Sequence, residues 1–186
     1  MRGAAAAGAF VLGGATVLGR PATAAAARPS RSQDQAIFNF ALLLEYLQAA
    51  FYGQAAARGR LRGELRDFAE TVAGHEHAHV EFLRKALGRR ARREPAFHFG
   101  RATSVEREFV DAAIVLENIG VAAYNGQVAN LTKKSLAAAA EIVSVEGRHA
   151  AWISDLAGRP PAPRAADPGA SAPEVLAALR KTGFVR

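Results

Sequence analysis

The 186-residue chain has no cysteine. Disulfides, zinc–thiolate sites and thiol catalysis are therefore excluded. Its eight prolines stay clear of the first long apolar segment, so no proline breaks a helix there. Aromatic residues make up only 8% of the chain, and none interleaves the basic run GRRARREP at residues 88–95. A groove that stacks nucleic-acid bases needs such aromatics, so no specific nucleic-acid partner is expected. Half of the chain is apolar and the net charge is +7. That much apolar sequence excludes a fully disordered chain, and the length suits one domain with a real core.

The first 30 residues, MRGAAAAGAFVLGGATVLGRPATAAAARPS, differ from the rest. Arg2 precedes a Gly- and Ala-rich apolar stretch at residues 3–19, and Ala-x-Ala sites end near Ala24 to Ala27. This is the layout of an export signal, expected over residues 1–27. A membrane anchor is the alternative, although the stretch is short and weakly apolar for a span. The low hydrophobicity is similar to that of twin-arginine export signals, whose arginine pair would have to lie upstream of Met1. The mature protein is expected to be exported to the periplasm or another extracytoplasmic part of the cell envelope. Losing Arg2 and Arg20 and no acid would take the net charge from +7 to +5. The basic run is then either a solvated loop or a contact for an anionic cell-envelope polymer.

Helical periodicity predicts four long helices, at about residues 32–57, 61–87, 103–131 and 133–157, each roughly 38 Å long at 1.5 Å per residue. Ser32 with Gln35, and Thr103 with Glu106, have the spacing of capping boxes. Gly88 and Gly158 mark helix ends. The first and third connections are a few residues, and the second is about 16, long enough to run the length of a bundle. The predicted fold is all-α: an antiparallel four-helix bundle over residues 32–158, with one long crossover between helices 2 and 3. Residues 159–186 add the proline-rich linker RPPAPRAADPGASAP and a short C-terminal helix with Pro173 in its first turn. Val175, Leu176 and Leu179 are the residues by which that helix would dock.

The two halves of the bundle repeat each other. ALLLEYLQAAFY aligns with AIVLENIGVAAY, so Glu45 pairs with Glu117 and Tyr52 with Tyr124. On the second helix of each half, Glu76 pairs with Glu146, His79 with His149, Phe82 with Trp152 and Gly88 with Gly158. Each half thus has a lone glutamate in an apolar run, followed by Glu-x-x-His. Residues three apart on a helix share a face, so each Glu-x-x-His aims an oxygen and a nitrogen together. A carboxylate in an apolar run costs several kcal/mol unless its charge is compensated. Two divalent cations would balance four carboxylates, and an oxygen-rich set with two imidazoles suits iron or manganese. His75 and His79, four apart, offer a competing single-zinc site. His75 has no counterpart, since it aligns with Val145, and His77 aligns with Gly147. Both are therefore assigned to the polar face or to the surroundings of the ligands. His98, alone in a loop, has no supporting pattern.

The segments NFALLLEYLQAAFY, HEHAHVEFLRKALG, VLENIGVAAYNG and SVEGRHAAWI resemble the ferritin-like superfamily of di-iron carboxylate proteins. More closely, they resemble exported bacterial ferritin-like proteins related to plant desiccation-related proteins. Carried over residue by residue, the resemblance implies metal ligands at Glu45, Glu76, His79, Glu117, Glu146 and His149, for two iron ions or, alternatively, manganese. Glu76 and Glu146 are the better bridging candidates. Tyr52 and Tyr124 would bond to ligands, relay electrons or simply pack in the core, and Trp152 is expected in the core. Three functions follow. One is an oxidoreductase that oxidises ferrous iron or a small reductant with oxygen or peroxide. The second is a non-catalytic iron-binding or stress- and desiccation-protection protein of the cell envelope. The third is a basic bundle that adheres to an anionic surface, with metal as a structural staple.

Overall fold

A computed structural model describes residues 28–185, and the expected export signal at residues 1–27 lies outside the described residues. The described chain forms α1 (Arg31–Arg58), α2 (Gly63–Leu87), α3 (Glu106–Gln127), α4 (Lys133–Leu156) and α5 (Ala172–Thr182). Short 3-10 turns at Gly88–Arg90 and Val128–Asn130 follow α2 and α3. No strand is formed among the described residues; the one β-type contact is an isolated bridge between Phe97 and Val185.

The helix bodies match the periodicity, but several ends do not match the expected caps. α1 starts earlier, because Ser30 rather than Ser32 is the N-cap, its side chain accepting from the Gln33 N–H. The Thr103–Glu106 capping box does not form. Thr103 Oγ1 donates instead to Gln54 Oε1 at 2.8 Å, and Glu106 Oε1 accepts from the Arg62 N–H at 2.9 Å. Tertiary bonds outcompete the local cap, and α3 begins at Glu106. α3 also ends at Gln127, short of Leu131, and tightens into the 3-10 turn, a common way to satisfy terminal carbonyls. α5 does have its capping box, with Glu174 Oε2 accepting from the Ser171 N–H at 2.8 Å.

α1 and α2 form one hairpin, and α3 and α4 the other. Contacts across the hairpins run in reversed order. Glu45 meets Tyr124 and Tyr52 meets Glu117, so α1 and α3 are antiparallel. His75 meets His149 and His79 meets Glu146, so α2 and α4 are antiparallel too. The crossover between α2 and α3 makes this possible by travelling along α1. Arg90 and Arg92 bond to Asn39, and Tyr46 donates to the Arg92 carbonyl. Phe99 then packs on Phe51, Thr103 reaches Gln54, and the Gly100 carbonyl accepts from Arg58.

Two apolar clusters sit above and below the middle of the bundle. One gathers Phe51, Tyr52, Phe68, Phe99 and Phe109, and Trp152 packs edge-on against Phe68 with ring centroids 5.1 Å apart. The other holds Phe38, Leu42, Val80, Leu83, Leu131 and Ile142. α5 docks on α3 with Val175 and Leu179 buried in the first cluster. Between the two clusters lies a layer of glutamates and histidines.

Candidate metal centre

Each helix contributes one face to this layer. α1 aims Glu45, Gln48 and Tyr52 inward, at offsets of three and seven that keep them on one stripe. α3 presents Glu117, Gly120 and Tyr124 at the same offsets. α2 supplies Glu76 and His79, and α4 supplies Glu146 and His149. All six residues named from the sequence therefore meet in one place. The four glutamates are 0% exposed, His79 is 8% exposed and His149 is 2% exposed.

The distances are short. His79 Nδ1 lies 3.2 Å from Glu45 Oε2, 3.2 Å from Glu76 Oε2 and 3.4 Å from Glu146 Oε1. His149 Nδ1 lies 3.2 Å from Glu76 Oε1 and 3.4 Å from Glu117 Oε2. Candidate donor atoms fall into two groups, each with all atoms within 4.8 Å of one another: Glu45, Glu76, His79 and Glu146, and Glu76, Glu117, Glu146 and His149. Glu76 and Glu146 belong to both.

The electrostatics reflect four carboxylates in a dry interior. Burial, with the neighbouring Glu76 charge, pushes the Glu45 carboxyl up to about 7. Burial and the Glu45 charge do the same to Glu146, also to about 7. Burial opposes charge on His79, but contacts with Glu146, Glu45 and Glu76 prevail and carry it up to about 12. His149 rises to about 10 for the same reason, against its own burial, with Glu117 and Glu76 as its partners. Burial and the adjacent glutamates raise both tyrosines well above their usual value, so they stay protonated and donate. Tyr124 OH donates to Glu45 Oε1 at 2.5 Å, and Tyr52 OH donates to Glu117 Oε1.

Among the described residues, four buried side-chain atoms have no hydrogen-bond partner: Glu76 Oε1, Glu117 Oε2, Glu146 Oε1 and His149 Nδ1. His149 Nδ1 is within 4 Å of three carboxylates, those of Glu76, Glu117 and Glu146, but is not aligned with them for hydrogen bonding. Orphaned buried polar atoms are costly and rare in folded proteins. Here one comes from each residue of the second group, and all four can offer a lone pair to a hard or borderline cation, His149 Nδ1 once its proton has left. The residues present therefore fit a metal ion.

Two neighbours, Gln48 and Gly120, escaped the sequence reading, and a third, His75, was assigned there only to the polar face or to the surroundings of the ligands. Gln48 Nε2 donates to Glu117 Oε1 at 3.0 Å and to Glu146 Oε2 at 3.3 Å. Gly120, its repeat counterpart, leaves the room for this, since a Cβ there would sit 2.5 Å from Glu146 Oε2. His75 is exposed, but its ring stacks on that of His149 and its Nδ1 lies 2.9 Å from His149 Nε2. The competing single-zinc pairing of His75 with His79 is not what the structure assembles: His75 faces His149 on the side away from the carboxylates. The signal for Gln48 was its offset of three from Glu45, but it is not repeated, and neither is His75. His77 and His98 are exposed and outside the cluster.

A protein-family model described as the ferritin-like domain matches residues 33–159. The comparison with curated proteins gives no match.

Proposed function

The chain belongs to the ferritin-like domain family, and we propose that its buried cluster holds two divalent metal ions, iron or alternatively manganese, and that the loaded protein oxidises ferrous iron or another small reductant with oxygen or peroxide. The observation that carries the metal reading is the set of four buried atoms without hydrogen-bond partners converging from Glu76, Glu117, Glu146 and His149. Glu45 and His79 would serve one ion, Glu117 and His149 the other, and Glu76 and Glu146, common to both groups, would bridge. Two divalent ions also balance the four carboxylates. When bound, such a pair supplies Lewis acidity and electrons for reducing oxygen or peroxide.

The remaining steps belong to the chain's own residues. Tyr124 fixes Glu45, and Tyr52 and Gln48 fix Glu117, each by a donated hydrogen bond. The aromatic cluster around Phe51, Phe68 and Phe109 keeps water from one end of the layer. The protons that His79 and His149 carry at Nδ1 must leave before those nitrogens can bind a cation, so loading releases protons.

We place this activity outside the cytoplasm, on the strength of the signal-like sequence of residues 1–27. A hollow of about 560 Å³ beside the end of α2 is lined by Arg84, Lys85, Arg89, Arg92 and Arg93 against a single acid, Glu94. Its charge supports contact with an anionic cell-envelope polymer.

Metal analysis after anaerobic loading with ferrous iron tests the first claim. Two ions per chain are expected, and His149→Ala should fall well below two. Oxygen uptake over many equivalents of ferrous iron then tests turnover. Full occupancy without uptake would leave the non-catalytic iron-binding, stress-protection function in its place.

A further inference from the structure

The six candidate ligands and the two tyrosines obey the internal repeat, so by themselves they would make two equivalent metal positions. Two pairs break the symmetry. Gln48 stands opposite Gly120, and His75 aligns with Val145. In both pairs the polar member lies in the first half and reaches across the bundle to ligands of the second half. Gln48 donates to Glu117 and Glu146. His75 meets the remote nitrogen of His149. Among the described residues, His79 Nε2 makes no hydrogen bond, and Glu45 is held from outside the ligand set by Tyr124 alone.

The bond to His75 has a direction. His149 Nδ1 faces the carboxylates and must offer a lone pair to a cation. Its proton then resides on Nε2, which donates to His75 Nδ1. A hydrogen bond at the far nitrogen fixes both tautomer and ring orientation and strengthens the ligand. Gln48 and Tyr52 likewise hold Glu117 with one oxygen, Oε1, and leave the orphaned Oε2 pointing inward. Of the four orphaned atoms, those of Glu76 and Glu146 serve both groups, and the two that serve one group alone, Glu117 Oε2 and His149 Nδ1, are both at the second, so that position is the preformed one.

We propose that His75 and Gln48 are positioning residues that make the two metal positions unequal, so that the position at Glu117 and His149 fills first and more tightly than the position at Glu45 and His79. This rests on the metal reading given above and adds an order of filling to it. Tyr52 and Tyr124 cannot create the order, because each serves one half in the same way.

Calorimetric titration of the full metal-free chain with manganese(II), which does not oxidise under these conditions, tests the order. Two steps of different affinity are expected. His149→Ala should delete the tighter step, and His79→Ala should delete the weaker one. His75→Val, which installs the residue of the other half, should weaken the first step by about 10- to 100-fold, the usual effect of losing such a partner. Gln48→Leu should act in the same direction. His75→Gln, which restores an acceptor oxygen, should recover part of the loss. His75 is exposed, so metal-free His75→Val should melt as the parent does, which separates positioning from folding. A single step of two equal sites in the parent, or loss of the tighter step in His79→Ala rather than His149→Ala, would overturn the order while leaving the dinuclear reading intact. No manganese binding by the parent would remove the dinuclear reading itself, and the order with it.

Discussion

The space between α1 and α3 at the level of the cluster admits one side chain, and the two halves of the chain divide it as Gln48 and Gly120. Gly120→Ala would put a methyl group 2.5 Å from Glu146 Oε2. The group in the way is the end of a side chain, so Glu146 would turn aside and the helix would survive. Alanine gains up to about 1 kcal/mol of helix propensity over glycine, which offsets the crowding. The expected outcome is a metal-free melting temperature near the parent's with clearly reduced metal occupancy, read by calorimetry and metal analysis. Tyr124→Phe should behave differently. Among the described residues it removes the only donor outside the ligand set that holds the buried Glu45, costing about 1–3 kcal/mol of metal-free stability in a denaturant melt. The candidate ligands were legible in the sequence because they occur twice at fixed spacing. Gln48 and Gly120 were not, and of His75 only a place on the polar face or beside the ligands was, because what these residues do depends on differing between the halves. A repeat alignment discards those positions, and only the packing of α1 on α3 and α2 on α4 shows their use.

Helices were legible through their middles and illegible at their ends. Periodicity records which face is buried, and that is a property of the middle. The ends are set by partners from elsewhere in the chain. α4 has no side-chain bond from its own N-cap, Thr132. Its start is held by Asp34 of α1, which accepts from the Thr132 N–H at 2.9 Å, from Thr132 Oγ1 at 2.6 Å and from Ser135 Oγ at 2.7 Å. These bonds outweigh the cost of burying Asp34 and lower its pKa. Asp34→Ala should therefore cost about 1–3 kcal/mol. That contribution is present above the ordinary carboxylate pKa and is lost as pH falls through the lowered one, so the gap between parent and variant should close in acid melts. The linker after α4 was equally hidden. It folds back on α3, where the Ala170 N–H donates to the Ala122 carbonyl at 2.8 Å and Gly169 meets Gly126 backbone to backbone. A Cβ at Gly126 would lie 1.9 Å from the Ala170 carbonyl oxygen, and backbone cannot swing away as a side chain can. Gly126→Ala should lift the linker off α3. Limited proteolysis should then cut within residues 159–170 faster than in the parent, while the bundle itself stays folded. Unchanged cutting would mean that the close glycine contact does not hold the linker down.

The whole molecule faces a conflict between folding and charge, and pH exposes it. In the metal-free protein Glu45 and Glu146 are raised to about 7, His79 to about 12 and His149 to about 10. All four shifts are upward from the ordinary values of 4.5 and 6.5, so the folded state holds protons that the unfolded chain has given up. Stability therefore falls with rising pH wherever these groups differ between the two states. The glutamate contribution is complete below 4.5 and is lost through about 7. The histidine contribution is complete below 6.5 and is lost through about 10 and beyond. A bound cation reverses the slope. It competes with these protons for the same oxygens and nitrogens, so its affinity rises with pH, and so does the stability it adds by binding only the folded state. Thermal melts between pH 5 and pH 9 should show the metal-free protein losing melting temperature steadily. With excess manganese(II), the interval between loaded and metal-free curves should widen over the same range. An interval that stays constant with pH would mean that metal and protons do not share the buried cluster, and that any stabilising ion binds elsewhere.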